Sequence, residues 1–137
     1  MTNEELCTLA IKAMENAYVP YSGYRVGAAL LTKSGKVYTG CNIENASYSP
    51  TVCAERTAIF KAVSEGEREF LKIAVAGGKN GKITGEFPPC GVCRQVMAEF
   101  CGEDLEILVV KGENSFTEYK FSEILPFSFN PKHIKKV

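Results

Sequence analysis

Three cysteines at two predicted helix starts constrain this chain more than any other feature. Cys53-Ala54-Glu55 sits at the start of one helix, and Pro89-Cys90-Gly91-Val92-Cys93 opens another. Cys90 and Cys93 are three apart, so they share one face of the first turn. A helix N-terminus carries partial positive charge and lowers a thiol's pKa. All three cysteines are therefore placed to be thiolates, which zinc takes in tetrahedral geometry. A site that uses all three needs both helix starts in one place.

The count of three matters. Structural zinc sites usually close with four protein ligands, whereas catalytic sites keep the fourth position for water. No second CxxC is present, and Cys7, Cys41 and Cys101 remain as alternative fourth ligands. The plain alternative is a buried thiol at Cys53 beside a redox CxxC pair. Glu55 supplies the chemistry in the zinc reading. Zinc lowers the pKa of bound water toward ~7, and a carboxylate in the same first turn can take that proton and pass it on. Three thiolates leave a Zn²⁺ site with a formal charge of −1. Arg56, donating to a thiolate sulfur, would offset it; Arg94 is a weaker candidate for that task. The alternatives are a dipole-favoured glutamate and a solvated arginine.

Around this core the pattern alternates helix and strand. Thr2 and Glu5 fit a capping box, and Leu6, Leu9, Ala10, Ala13, Met14 and Ala17 keep helical spacing. Residues 25–32 and 36–41 read as a hairpin about Lys33-Ser34-Gly35. Thr51 is the expected cap of a helix from Val52 to Gly66. Residues 71–77 and 105–110 read as buried strands. Between them lie a glycine-rich loop, Gly77 to Pro89, and a helix from Cys90 to Phe100 with Val92, Val96 and Phe100 along one side. Residues 116–121 read as an edge strand, followed by a short helical turn from Ser122 to Leu125. This order predicts an α/β fold of three layers, α/β/α, with one central mixed sheet.

The 137 residues suit one domain spanning 1–137. Lys plus Arg and Asp plus Glu are both 16, so the chain is formally neutral. A nucleic-acid partner would favour a basic excess. The most basic stretch, Pro131 to Lys136, is short and carries the lone His133, read as a solvated tail residue. No run is apolar enough to cross a membrane, and the acidic start does not resemble a secretory signal. The expected compartment is the reducing cytoplasm, where cysteines serve metals or catalysis rather than disulfides.

The C-A-E and P-C-x-x-C pair resembles the zinc-dependent nucleoside deaminases, in the form of the small tetrameric cytidine deaminases. The likeness extends to Tyr21-Ser22-Gly23-Tyr24-Arg25-Val26-Gly27 and to Gly40-Cys41-Asn42-Ile43-Glu44-Asn45-Ala46-Ser47-Tyr48. It implies one Zn²⁺ per chain on Cys53, Cys90 and Cys93, with Glu55 as proton carrier. It implies that Asn42 and Glu44 bind the ribose 3′-hydroxyl, that Tyr24 and Ala54 line the substrate pocket, and that Tyr24 replaces a usual Phe. It further implies a homotetramer with shared sites, in which Phe129 stacks on a neighbour's pyrimidine and Tyr48 lies near subunit contacts. The implied reaction is hydrolytic deamination of cytidine and 2′-deoxycytidine. Deamination of another aminopyrimidine, editing of nucleic acid, and a non-catalytic zinc module are the competing readings.

Overall fold

The structure, a computed structural model, describes residues 1–135; Lys136 of the basic tail lies outside the described residues. Thr2 caps the first helix, α1 (Asn3–Ala13), its hydroxyl accepting from Glu5 N at 3.1 Å. The α-helix stops four residues earlier than its apolar spacing predicts. Met14–Asn16 tighten into a 3₁₀ turn instead. The hairpin follows as β1 (Tyr24–Thr32) and β2 (Val37–Cys41).

Helix α2 (Ala54–Ser64) begins later than expected, because Cys53 and not Thr51 occupies the cap position. Thr51 instead accepts from Asn45 N at 3.0 Å and holds the preceding loop. Strand β3 (Phe70–Lys79) runs on through two glycines and turns back as β4 (Lys82–Gly85). The predicted glycine-rich loop is thus largely a hairpin. Its turn is Asn80-Gly81, both with positive φ, at 56° and 73°. That dipeptide is a strong hairpin signal, because the mirror-image turn matches strand twist. The chain ends with α3 (Gly91–Phe100), β5 (Glu106–Gly112), β6 (Ser115–Lys120), α4 (Phe121–Ile124) and a 3₁₀ turn at Pro131–His133.

The six strands form one sheet in the order β2-β1-β3-β5-β6, with β4 also on β3. β3 and β5 pair in parallel, as a helical crossover through α3 requires, and the other pairs are antiparallel. β5 takes residues 72–75 of β3, and β4 takes 77–79.

Side chains alternate across this sheet, so two cores form, one on each face. Leu30, Ile73 and Ile107 pack with Ile59 of α2 and Met97 of α3. Ala29, Ala74 and Leu108 pack with Leu6 and Ala10 of α1 on the other face. Each fully buried Leu or Ile contributes roughly 1.5–3 kcal/mol. The expected three layers are present.

The apolar side of α3 divides: Val92 is 57% exposed, Val96 and Phe100 are half-buried against the core, and Cys93, Met97 and Ala98 are fully inward. Cys93 must face the cysteine cluster, and Met97 one turn on shares its face. Val92 therefore lies at the surface, beside the half-exposed Phe60 of α2.

Candidate metal centre and active site

The N-termini of α2 and α3 meet over the α2/α3 face of the sheet. Close backbone contact sets the position of α2. A Cβ at Gly40 of β2 would lie 2.5 Å from Ala54 O and 2.5 Å from Ala58 N, so only glycine lets the first turn of α2 sit there. Thr57 adds a second tie, its hydroxyl donating to Cys41 O at 2.9 Å. Cys53 and Cys90 are the cap residues of their helices. Cys93 N donates to Cys90 Sγ at 3.5 Å.

The three sulfurs of Cys53, Cys90 and Cys93 all lie within 4.8 Å of one another, and Cys53 Sγ is 3.6 Å from Cys90 Sγ. Hydrogen bonding from Cys93, and then from Arg56 and Cys90, pulls the Cys53 thiol down to about 5 against the cost of burial. Sharing that proton pushes Cys93 up. Arg56 Nη2 lies 3.4 Å from Cys53 Sγ, as its expected charge-balancing task requires. Three soft donors converging with one cation behind them fit zinc. Cys7, Cys41 and Cys101 stand outside this cluster. Arg94, the weaker candidate, turns elsewhere: its guanidinium donates to Pro89 O and Ile124 O.

Glu55 is 3% exposed and sits in the first turn of α2. Burial pushes its carboxyl up to about 7, and the nearby Cys53 thiolate adds to the rise. An acid with a pKa near neutrality can both take and give a proton at working pH.

A family model described as the cytidine and deoxycytidylate deaminase zinc-binding region matches residues 1–109. The chain belongs to this deaminase family. It is 50% identical over 129 residues to a cytidine deaminase of Halalkalibacterium halodurans, covering 94% of this chain and 95% of that one. It is 46% identical over 134 residues to a cytidine deaminase of Sporosarcina psychrophila, covering 98% and 96%. Among solved structures, a cytidine deaminase from Burkholderia pseudomallei superposes with a TM-score of 0.86 at 45% identity, covering 94% of this chain and 100% of that one.

The other residues that the deaminase resemblance singles out form a second group. The segment Asn42–Glu44 is bridged on both sides. Tyr18 N donates to Asn42 O and Glu44 N to Tyr18 O, while Ile43 and Val52 exchange two bonds of 3.0 Å. This junction fixes the segment beside the residue that precedes Cys53. Asn42 accepts from Val26 N and donates to Tyr24 O, both at 2.9 Å. Tyr24 is half-exposed, 6.0 Å from the Phe87 ring, with Lys79 Nζ 4.9 Å from its centroid. Tyr48 is exposed at φ 58° and meets Tyr21 edge-on at 6.5 Å. Ala54 is fully buried at the start of α2.

Phe129 stands apart from these groups. It is exposed, its carbonyl accepts from Gln95 Nε2 at 2.9 Å, and its ring stacks on His133 at 5.5 Å. His133 is thus exposed, as expected of a tail residue, but has a defined partner. The sequence reading missed Ser22, Gln95 and the carbonyl-anchoring role of Arg94. The one local signal was their adjacency to the Pro-Tyr-Ser and Cys-x-x-Cys segments.

Proposed function

We propose that this deaminase-family protein hydrolyses the exocyclic amine of cytidine and 2′-deoxycytidine, giving uridine or 2′-deoxyuridine and ammonia. The observation that carries the reading is the buried Glu55 carboxyl in the first turn of the helix capped by Cys53, one of three cysteines whose sulfurs converge. Cys53, Cys90 and Cys93 would hold one zinc per chain. Zinc, when bound there, would supply a Lewis acid that acidifies the attacking water.

Glu55 takes a proton from the attacking water and delivers it to N3 as the oxygen joins C4. It then carries the second water proton to the departing amine, the C4–N4 bond breaks, and ammonia leaves. Its position in a nearly water-free turn keeps its proton affinity matched to both transfers. Arg56 holds the Cys53 thiolate and balances the charge of the three sulfurs. Asn42 and Glu44 bind the sugar hydroxyl, and Tyr24 and Ala54 line the pocket.

The protein works as a cytoplasmic homotetramer in this reading. Among the described residues, no helix is long and apolar enough to cross a membrane. The exposed apolar stripe of Val92 and Phe60, with the exposed Tyr48 and Phe129, supports burial against neighbouring copies. Phe129 then reaches a neighbour's pyrimidine, with Tyr48 at the subunit contact.

The deciding experiment is uridine formation from cytidine by purified, zinc-loaded protein, followed by loss of absorbance and by chromatography. Uridine and ammonia in equal amounts are expected. Protein that holds one zinc per chain and forms no uridine would overturn the reading.

A further inference from the structure

A hydrogen-bonded relay links the Tyr21–Tyr24 turn to Glu44. Glu44 Oε1 accepts from Tyr21 N at 3.0 Å and from Ser22 N at 3.1 Å. Its other oxygen, Oε2, accepts from the Ser22 hydroxyl. An ionised carboxylate only accepts, so Ser22 must be the donor in that contact. Ser22 Oγ in turn accepts from Tyr24 N at 3.0 Å, which fixes the hydroxyl's rotation. These bonds hold the Glu44 carboxyl below its ordinary range.

The remaining bonding capacity is small. A carboxylate has about four acceptor positions. Three are spent on the chain, and one on Oε2 is left. Asn42 uses one lone pair of its oxygen for Val26 N and one N–H for Tyr24 O, so one N–H of its amide is left to donate. A free amide N–H and one free carboxylate lone pair are enough to satisfy a single hydroxyl as acceptor and donor. A cavity lined by Tyr21, Ser22, Glu44, Asn45, Tyr48 and Thr51 opens beside the carboxylate.

We propose that Ser22 is a positioning residue that leaves Glu44 one aimed acceptor and so tunes the site to a single sugar hydroxyl. This rests on the reading of Glu44 as a sugar-binding group. Ser22 itself touches no reacting atom. A hydroxyl remote from C4 contributes binding shared by ground and transition states, so its loss raises KM and spares kcat.

The test compares cytidine with 3′-deoxycytidine on zinc-loaded wild type, Ser22→Ala, Ser22→Cys, Ser22→Thr and Glu44→Gln. Wild type should prefer cytidine. Ser22→Ala should lose about tenfold in kcat/KM on cytidine, through KM, with 3′-deoxycytidine unchanged. Ser22→Thr keeps the hydroxyl and should restore the preference. Ser22→Cys, close in size but a weak donor, gives the same answer as alanine if the alanine variant folds poorly. Equal losses on both substrates, or no loss on either, would overturn the positioning role. If Glu44→Gln abolishes the preference while Ser22→Ala and Ser22→Cys keep it, the role of Ser22 falls and that of Glu44 stands. If wild type treats the two substrates alike, the reading of Glu44 falls and this inference with it.

Discussion

Gly40→Ala should move the proton carrier without touching it. The added methyl would lie 2.5 Å from both Ala54 O and Ala58 N, backbone atoms that cannot rotate away. Ordinary van der Waals contact begins at 3.4 Å, so α2 and β2 must part by about 0.9 Å. Overpacking of this kind costs about 1–3 kcal/mol. The first turn of α2 carries Glu55 just beyond its cap residue Cys53, whereas Cys90 and Cys93 ride on α3. A shift of ~1 Å in a reacting group can cost about 10²-fold in rate. We expect a lower denaturation midpoint and about a 10²-fold fall in kcat on cytidine, with KM little changed. Gly112→Ala is the control, since a methyl there meets nothing within 4 Å. Urea denaturation measures the first effect and steady-state kinetics the other two, with zinc analysis as a check on metal content. Unchanged stability and turnover would refute the close packing. Lost stability with full turnover would mean that β2 yields instead of α2, and would refute the positional argument.

Glu55→Gln should keep zinc and fold while turnover falls at least about 10³-fold, the upper part of the range for losing a proton carrier; near-normal kcat would remove it from that role. Cys90→Ala should release zinc, and full metal occupancy by atomic absorption would contradict the ligand set. Cys7 and Cys101, pushed up by burial to about 11 and about 12, should resist iodoacetamide in native protein at about pH 8. Mass spectrometry showing rapid labelling of either would count against the packing around it. The Ser22 hydroxyl, with the Tyr21 and Ser22 N–H groups, lowers the Glu44 carboxyl from its ordinary 4.5. Its ionised form therefore adds stability above that value, and the gain is lost as pH falls through the lowered pKa. Glu44→Gln should flatten the drop in Tm between about pH 6 and pH 3, and an unaltered acid limb would refute the contribution.

The cysteine spacing by itself marked the candidate metal donors, and the fold brings their sulfurs together. Two helix starts carrying Cys53, and Cys90 with Cys93, are legible because capping and the helix dipole act within one turn. Strand alternation and the crossover through α3 likewise determined the three-layer fold, because side-chain period and connection length are local properties. Only the tertiary structure decided which way α3 faces. Its valine stripe has helical spacing as good as that of the buried face, and the demand that Cys93 point inward settles the rotation. The strand through Gly77 and Gly78 was hidden for a similar reason. Glycine reads as loop, yet a Cβ at Gly78 would strike Lys82 O across the hairpin. The relay from Tyr24 N through Ser22 to Glu44 joins residues 20 and more apart in the chain. No periodicity reports such a pair, since it exists only once the bridges at Tyr18, Ile43 and Val52 bring the two segments together.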